Sequence, residues 1–191
     1  MSIIDKNIPR KEKIVKNRIQ YLKNTKIPLM SVVEISNSGV CNRKCSFCPR
    51  SDPNFEEINE FISKELHNKI FSELSQLDYN GMVIYSGYVE PLLDKKIYSS
   101  ISEARKFLPN AQIEIITNGD VLNLDRLKTL FDAGLSTLLI SVYDGPEEER
   151  AFYDLCKKAN LKDNQYVIRN RYMSEDKNFG LNISNRSGTL K

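Results

Sequence analysis

Apolar residues along this chain follow two rhythms that alternate. Short apolar runs rich in β-branched residues at 32–36, 82–87, 113–117, 137–141 and 166–170 are too short for helices. Most are bounded by Gly, Asn or Asp, and they read as strands. Between them apolar residues recur every three or four positions: Leu66, Ile70, Leu74 and Leu77, then Ile97, Ile101, Ala104 and Leu108, then Leu127, Leu130 and Phe131, then Phe152, Leu155, Cys156 and Ala159. That spacing predicts amphipathic helices. Ser63, Asp94 and Asn123 are expected as N-caps, Pro146 as a first helical residue and Gly134 as a left-handed C-terminal cap. Strands alternating with helices predict an α/β fold with a parallel sheet joined by right-handed crossovers. Too few strands are present to close an eight-stranded barrel, so an open, partial (β/α) barrel is expected.

Ahead of the first strand the charges are uneven. Lys6, Arg10, Lys11, Lys13, Lys16, Arg18, Lys23 and Lys26 stand against Asp5 and Glu12, with Val15, Ile19 and Leu22 on one helical face and Pro9 suited to a first turn. An amphipathic helix that packs its apolar stripe on the main domain, lysines in water, is expected here. An RNA-contacting arm would need aromatic residues among the charges to stack bases, and only Tyr21 is present. The divisions expected are residues 1–30 as helix and lead-in, 31–173 as the barrel, and 174–191 as a polar tail rich in Gly, Ser and Asn.

Composition narrows the function classes. With 191 residues, 40% hydrophobic and 28% charged, the chain suits one soluble domain. A net charge of only +3 projects no strong field, so nucleic acid is not an expected partner. No apolar run approaches the roughly 20 residues needed to span a bilayer. The opening residues lack the layout of a secretory signal, and a cytoplasmic location is expected.

The chemistry concentrates in one loop. Cys41, Cys45 and Cys48 form a C-x3-C-x2-C run directly after the first strand. A cubic iron–sulfur cluster normally takes about four cysteines, so three thiolates leave one iron open to a ligand that is not protein. Two other readings compete: a zinc tetrahedron completed by His67, and a disulfide with one spare thiol, which the lack of a secretory signal disfavours. Cys156 falls in the last helical stripe and reads as a small buried hydrophobe. In parallel α/β folds the ligand sits beyond the carboxyl ends of the strands. Here the cysteine loop, segment 86–91, segment 117–120, segment 141–145 and Arg169 all fall at such ends.

The cysteine spacing, with Phe47 before the third cysteine and a strand ahead of the first, resembles the radical SAM enzymes over roughly residues 32–171. The resemblance implies an incomplete barrel of about five to six parallel strands. It implies a 4Fe–4S cluster on Cys41, Cys45 and Cys48, and S-adenosylmethionine bound at the open iron through its amino and carboxylate groups. It also implies one-electron cleavage of that cofactor to a 5′-deoxyadenosyl radical, which abstracts hydrogen from a substrate the sequence does not name. Segment 86–91 is similar to the family's GGEP motif: Gly87, Glu90 and Pro91 match, Tyr88 lies within, and Val89 replaces a glycine and cannot take φ > 0 cheaply.

In this likeness Glu90 receives the cofactor's amino group, although Glu90 and Pro91 alone would also simply end a strand. Thr117, Asn118 and Ser141 look like ribose-contacting positions, while Asn118 and Gly119 alone are a turn signal. Arg169 either pairs with the cofactor carboxylate or lies at a sheet edge, and Phe47 either packs over the adenine or shields the cluster. Arg43 and Lys44 either favour thiolates or are solvated, and Asp144 is expected to cap a helix. Tyr88 and Tyr143 on the rim are candidates to relay or donate a hydrogen atom, and no residue is assigned as a catalytic acid or base. An external reductant of the flavodoxin or ferredoxin type is implied. Asn185, Arg186, Ser187 and Gly188 resemble a run that precedes auxiliary-cluster cysteines in longer relatives with a SPASM extension, and no such cysteine follows here. An exposed barrel mouth then favours a large substrate such as a peptide, or a partner protein as a lid. The alternatives are a non-catalytic metal-binding module and a truncated core that needs a partner domain.

Overall fold

The computed structural model describes residues 7–172. Strands β1 (Val32–Ile35), β2 (Met82–Tyr85), β3 (Gln112–Thr117), β4 (Thr137–Val142) and β5 (Tyr166–Asn170) form one sheet in the order β1-β2-β3-β4-β5. Every neighbouring pair is parallel. The helices are α1 (Asn7–Lys16), α2 (Lys64–Gln76), α3 (Ile97–Phe107), α4 (Leu124–Asp132) and α5 (Pro146–Lys158). Sequential strand order with one crossover hand puts α2 to α5 on a single face, which is how a sheet begins to curl into a barrel. The expected partial barrel is therefore present, with each strand end within a residue or two of expectation. The tail expected at 174–191, including Asn185 to Gly188, lies outside the described residues.

Side chains alternate across each strand. Val83, Tyr85, Ile113, Ile115, Leu138 and Ile140 face the helices and pack with Phe71, Ile101, Leu127 and Cys156 in one core. Cys156 is fully buried, as its place in the stripe predicted. Each such side chain contributes about 1.5–3 kcal/mol by leaving water. The caps at Ser63 and Asn123 form as expected: their side chains accept the Leu66 N–H at 3.1 Å and the Arg126 N–H at 2.9 Å. Gly134 takes φ 105° just past α4.

Four expectations give way. The stripe on α2 is rotated by one residue: Leu66 is 51% exposed while His67, Phe71 and Leu74 are buried. His67 goes inside because its Nε2 meets the Tyr85 hydroxyl at 2.8 Å, which satisfies one nitrogen of a polar ring that a hydropathy pattern places outside. Asp94 does not cap α3, whose N-cap is Lys96. Its carboxylate instead accepts the Lys96 N–H at 2.9 Å and the Asn37 amide at 3.1 Å, so it fixes the turn before the helix. Asp144 does not cap α5, where Gly145 precedes Pro146 with φ 120°.

The N-terminal helix ends earlier than expected and turns a different side inward, with Val15 only half-buried. It ends at Lys16, so Ile19 lies beyond it and is 54% exposed. Its Arg10 and Lys11 turn inward to Glu114, at 2.5 Å and 3.5 Å, while Ile8 is 61% exposed. Glu114 is fully buried on the β3 face that looks away from the helical core. A carboxylate in that position needs a cation, and α1 supplies two. Charge pairing, not the apolar stripe, fixes the helix.

Candidate active site

One cavity of about 230 Å³ opens at the carboxyl ends of the strands. Its walls bring together nearly every candidate that the chain order had scattered: Cys41, Cys45 and Cys48 with Phe47 from the loop after β1, residues 87–90 from the loop after β2, Thr117 and Asn118 from β3, Ser141 and Tyr143 from β4, and Arg169 from β5. Pro91 is buried and starts a short 3-10 turn just behind that wall. Ser86 opens the segment expected at this rim, while chain order alone does not identify Pro49, Ile116 and Arg171, which also line the cavity. A signal for Arg171 exists: it stands two residues past Arg169, on the same strand face.

The cysteine loop is tied down at both ends. The Glu90 N–H donates to the Val40 carbonyl at 2.8 Å, just ahead of Cys41. Beyond Cys48, Arg50 is only 4% exposed and donates to the carbonyls of Gly39 and Tyr88 at 2.9 Å and 3.1 Å, with Glu57 as its counter-ion. Burial raises the Cys41 thiol, and burial followed by the neighbouring Cys48 and Cys41 pushes Cys45 up to about 11. All four cysteines are free thiols. His67 lies on α2 against Phe71 and Tyr85, away from the cavity walls, so the Cys3His zinc tetrahedron does not form.

Glu90 is 1% exposed. Its carboxylate accepts the Thr117 hydroxyl at 2.7 Å, the Asn118 N–H at 2.7 Å and the Leu92 N–H at 3.0 Å. Burial raises its pKa and these bonds oppose the rise. Glu90 therefore joins the β2 and β3 loops, and the Thr117 hydroxyl points to it. Gly87 sits at φ 129°, where a Cβ would lie 2.3 Å from the Ser36 hydroxyl, so only glycine fits this wall. Val89, in contrast, needs no positive φ. Arg169 faces the cavity and donates from Nη2 to Ser141 Oγ at 2.8 Å. Phe47 stacks on Tyr143 with ring centroids 5.7 Å apart.

Arg43 is far from a solvated loop charge. It holds Asp120 and Asp144, and burial of its side chain leaves 19% exposed. Asp144 is held below the usual carboxylate range by that guanidinium. Lys44 does remain in water, 70% exposed beside Glu57.

The donor set fits a cluster better than a single ion. Soft thiolates suit iron–sulfur centres, and each thiol of a cube binds a different iron, so the sulfurs need not converge on one point. Among the described residues no group of three or more His, Cys, Asp or Glu is gathered to hold one ion. The Gly87 wall, which only glycine fits, and the three-thiol loop border the same space, as an open iron with a chelating ligand requires.

Fold and site together define a parallel half-barrel enzyme class with a three-thiol loop on its carboxyl rim. The chain belongs to the radical SAM superfamily, whose model matches residues 35–170. That family works with a 4Fe–4S cluster and S-adenosylmethionine. The chain is 31% identical over 163 residues to the S-adenosyl-L-methionine-dependent 2-deoxy-scyllo-inosamine dehydrogenase of Niallia circulans, covering 85% of this chain and 61% of that protein. It is 29% identical over 124 residues to the GTP 3′,8-cyclase of Aquifex aeolicus (strain VF5), covering 63% of this chain and 38% of that enzyme. Among solved structures, BtrN in complex with AdoMet and 2-DOIA superposes with a TM-score of 0.68 at 29% identity, over 85% of this chain and 63% of that one. The chain thus spans about three fifths of the length of the dehydrogenase it matches. Among the described residues no helix is long and apolar enough to cross a membrane.

Proposed function

We propose that Cys41, Cys45 and Cys48 hold a 4Fe–4S cluster and that the loops after β2, β3 and β4, with β5, hold S-adenosylmethionine. When bound, the two groups supply reductive one-electron cleavage, yielding a 5′-deoxyadenosyl radical that abstracts hydrogen from the substrate. The observation that carries this reading is the meeting of the three thiols, Gly87, Glu90, Ser141 and Arg169 on one cavity in a chain of this superfamily.

Each residue has a task in that site. Three cysteines leave one corner of the cube without a protein ligand. Glu90 faces an ammonium, whose charge offsets the burial that otherwise disfavours the carboxylate. The loop of Gly87, Tyr88 and Val89, continued by Pro91, brings backbone close to the same group. Arg169 with Ser141 takes the cofactor's carboxylate. Asn118 offers its amide to the ribose, while Thr117 acts through Glu90, which it hydrogen-bonds. Phe47 on Tyr143 makes a flat wall for the adenine and keeps water from the thiols.

The electron comes from an external donor of the flavodoxin or ferredoxin type. The similarity to an inosamine dehydrogenase makes a small hydroxylated ring the first substrate class to assay, ahead of a peptide. Anaerobic reconstitution followed by reduction with dithionite tests the core of the proposal. A brown protein with about four irons per chain that forms 5′-deoxyadenosine is expected. A colourless protein carrying zinc, or a cluster that never yields 5′-deoxyadenosine, overturns it.

A further inference from the structure

Residues 41–44 take part in no backbone–backbone hydrogen bond among the described residues. The spacer between the first two thiols is therefore positioned by side chains. Arg43 Nε and Nη2 donate to the two oxygens of Asp120 at 2.7 Å and 2.5 Å. Its Nη1 and Nη2 donate to the two oxygens of Asp144 at 2.9 Å and 2.8 Å. Asn42 adds a parallel tie: it donates to Asp120 at 2.6 Å and accepts from the Asn118 amide at 2.7 Å.

The partners belong to two of the loops that wall the cavity. Asp120 follows Asn118 after β3, and Asp144 follows Tyr143 after β4. Glu148, at 3.4 Å from Arg43, accepts the backbone N–H groups of Tyr143 and Asp144 at 2.9 Å each and so fixes the second loop from behind. The guanidinium lies 5.2 Å from the centroid of the Tyr143 ring. Two forks on two carboxylates need the planar, five-donor geometry that only arginine offers.

We propose that Arg43 is a positioning residue: with Asp120 and Asp144 it latches the cysteine loop to the loops after β3 and β4 and sets the separation between the open cluster corner and S-adenosylmethionine. The inference rests on the cluster reading above. It assigns the spacing to a side-chain latch, since residues 41–44 themselves make no backbone–backbone hydrogen bond.

The test has two arms. In metal-free protein, iodoacetamide alkylation of Cys41, Cys45 and Cys48 is followed site by site by mass spectrometry for wild type, R43K, R43Q and D144N. Alkylation of Cys41 and Cys45 is expected to run at least five times faster in R43Q, with R43K intermediate and D144N, whose carboxylate is 64% exposed, closest to wild type. In reconstituted protein, S-adenosylmethionine is titrated against the electron paramagnetic resonance signal of the reduced cluster. R43Q is expected to take up iron like wild type yet bind S-adenosylmethionine at least tenfold more weakly, with partial rescue in R43K. Wild-type alkylation rates together with wild-type S-adenosylmethionine affinity in R43Q and R43K overturn the latch. If wild type itself takes no iron, the functional reading fails while the alkylation arm still decides whether the latch exists. Should R43Q fail to fold, R43K carries both arms, and wild-type alkylation together with wild-type S-adenosylmethionine affinity in R43K overturns the latch.

Discussion

Two arginines mark the two ends of the half-barrel and are bonded in opposite ways. At the carboxyl rim Arg43 is held by side-chain carboxylates of Asp120, Asp144 and Glu148. At the other end Arg105 is held almost wholly by backbone: it donates to the carbonyls of Leu108, Pro109 and Ala111 at 3.1, 3.0 and 2.8 Å, to Gly134 at 3.1 and 3.0 Å, and to Ser136 Oγ at 2.8 Å. Arg18 repeats the pattern on the carbonyls of Asn80 and Asn110 at 2.5 Å and 2.9 Å. Helix ends leave carbonyls without intrahelical partners, and an arginine stem laid across them closes several turns at once. The lower end is a fixed base. The rim is joined by pairs of side chains that differ from loop to loop, which suits the end where the loops carry chemistry.

The largest effect that separates the ends is loss of a thiol. Cys45→Ala is expected to reduce cluster iron to background and abolish 5′-deoxyadenosine formation, measured by iron assay and chromatography, while the melting temperature stays within a few degrees of metal-free wild type. A melting loss as large as the loss of iron would mean the rim also carries the fold.

Next comes the base. Arg105→Ala leaves several carbonyls unpartnered and is expected to cost about 3 kcal/mol in urea denaturation. Arg43→Ala, read the same way, is expected to cost about 1 kcal/mol, because the carboxylates it leaves behind sit at the rim and Asp144 is 64% exposed, so water can replace part of the pairing. Equal costs would dissolve the contrast between the two ends.

Gly87→Ala sharpens the rim. The added Cβ meets Ser36 Oγ at 2.3 Å and the backbone stays at φ 129°, so S-adenosylmethionine affinity is expected to fall by about tenfold with little change in iron content. Pairing it with Ser36→Gly relieves the contact but not the φ, and only partial recovery is expected.

The smallest effect is a pH dependence in the helical layer. Burial lowers the His67 pKa below its ordinary value of 6.5. Below that value the unfolded chain binds a proton that the folded chain resists, so wild-type stability is expected to fall as pH drops from 6.5 through the depressed folded value. His67→Gln is expected to flatten that slope in denaturation midpoints taken across the same range.

Much of the molecule was legible because its cues are local. The βα rhythm, the Ser63 and Asn123 caps and the thiol spacing are each written within a dozen residues or fewer. What failed did so where a distant partner overruled the local pattern. His67 entered the core because Tyr85 was waiting for its ring nitrogen. Arg10 and Lys11 left the water because β3 placed a buried Glu114 beneath them. Asp144 turned from the helix it was expected to cap because Arg43 lay across the rim.

The sequence by itself determined the order of strands and helices, and with it the rule that the candidate site residues lie at or just past the carboxyl ends of the strands. Periodicity and the single hand of βα crossovers are properties of consecutive residues, so one chain suffices to read them. Only the tertiary structure decided that Arg43 meets Asp120, 77 positions away, and Asp144, 101 positions away. Those meetings depend on how far adjacent strands twist and where their loops end. A pattern of neighbours along the chain does not encode which loop end will stand opposite which.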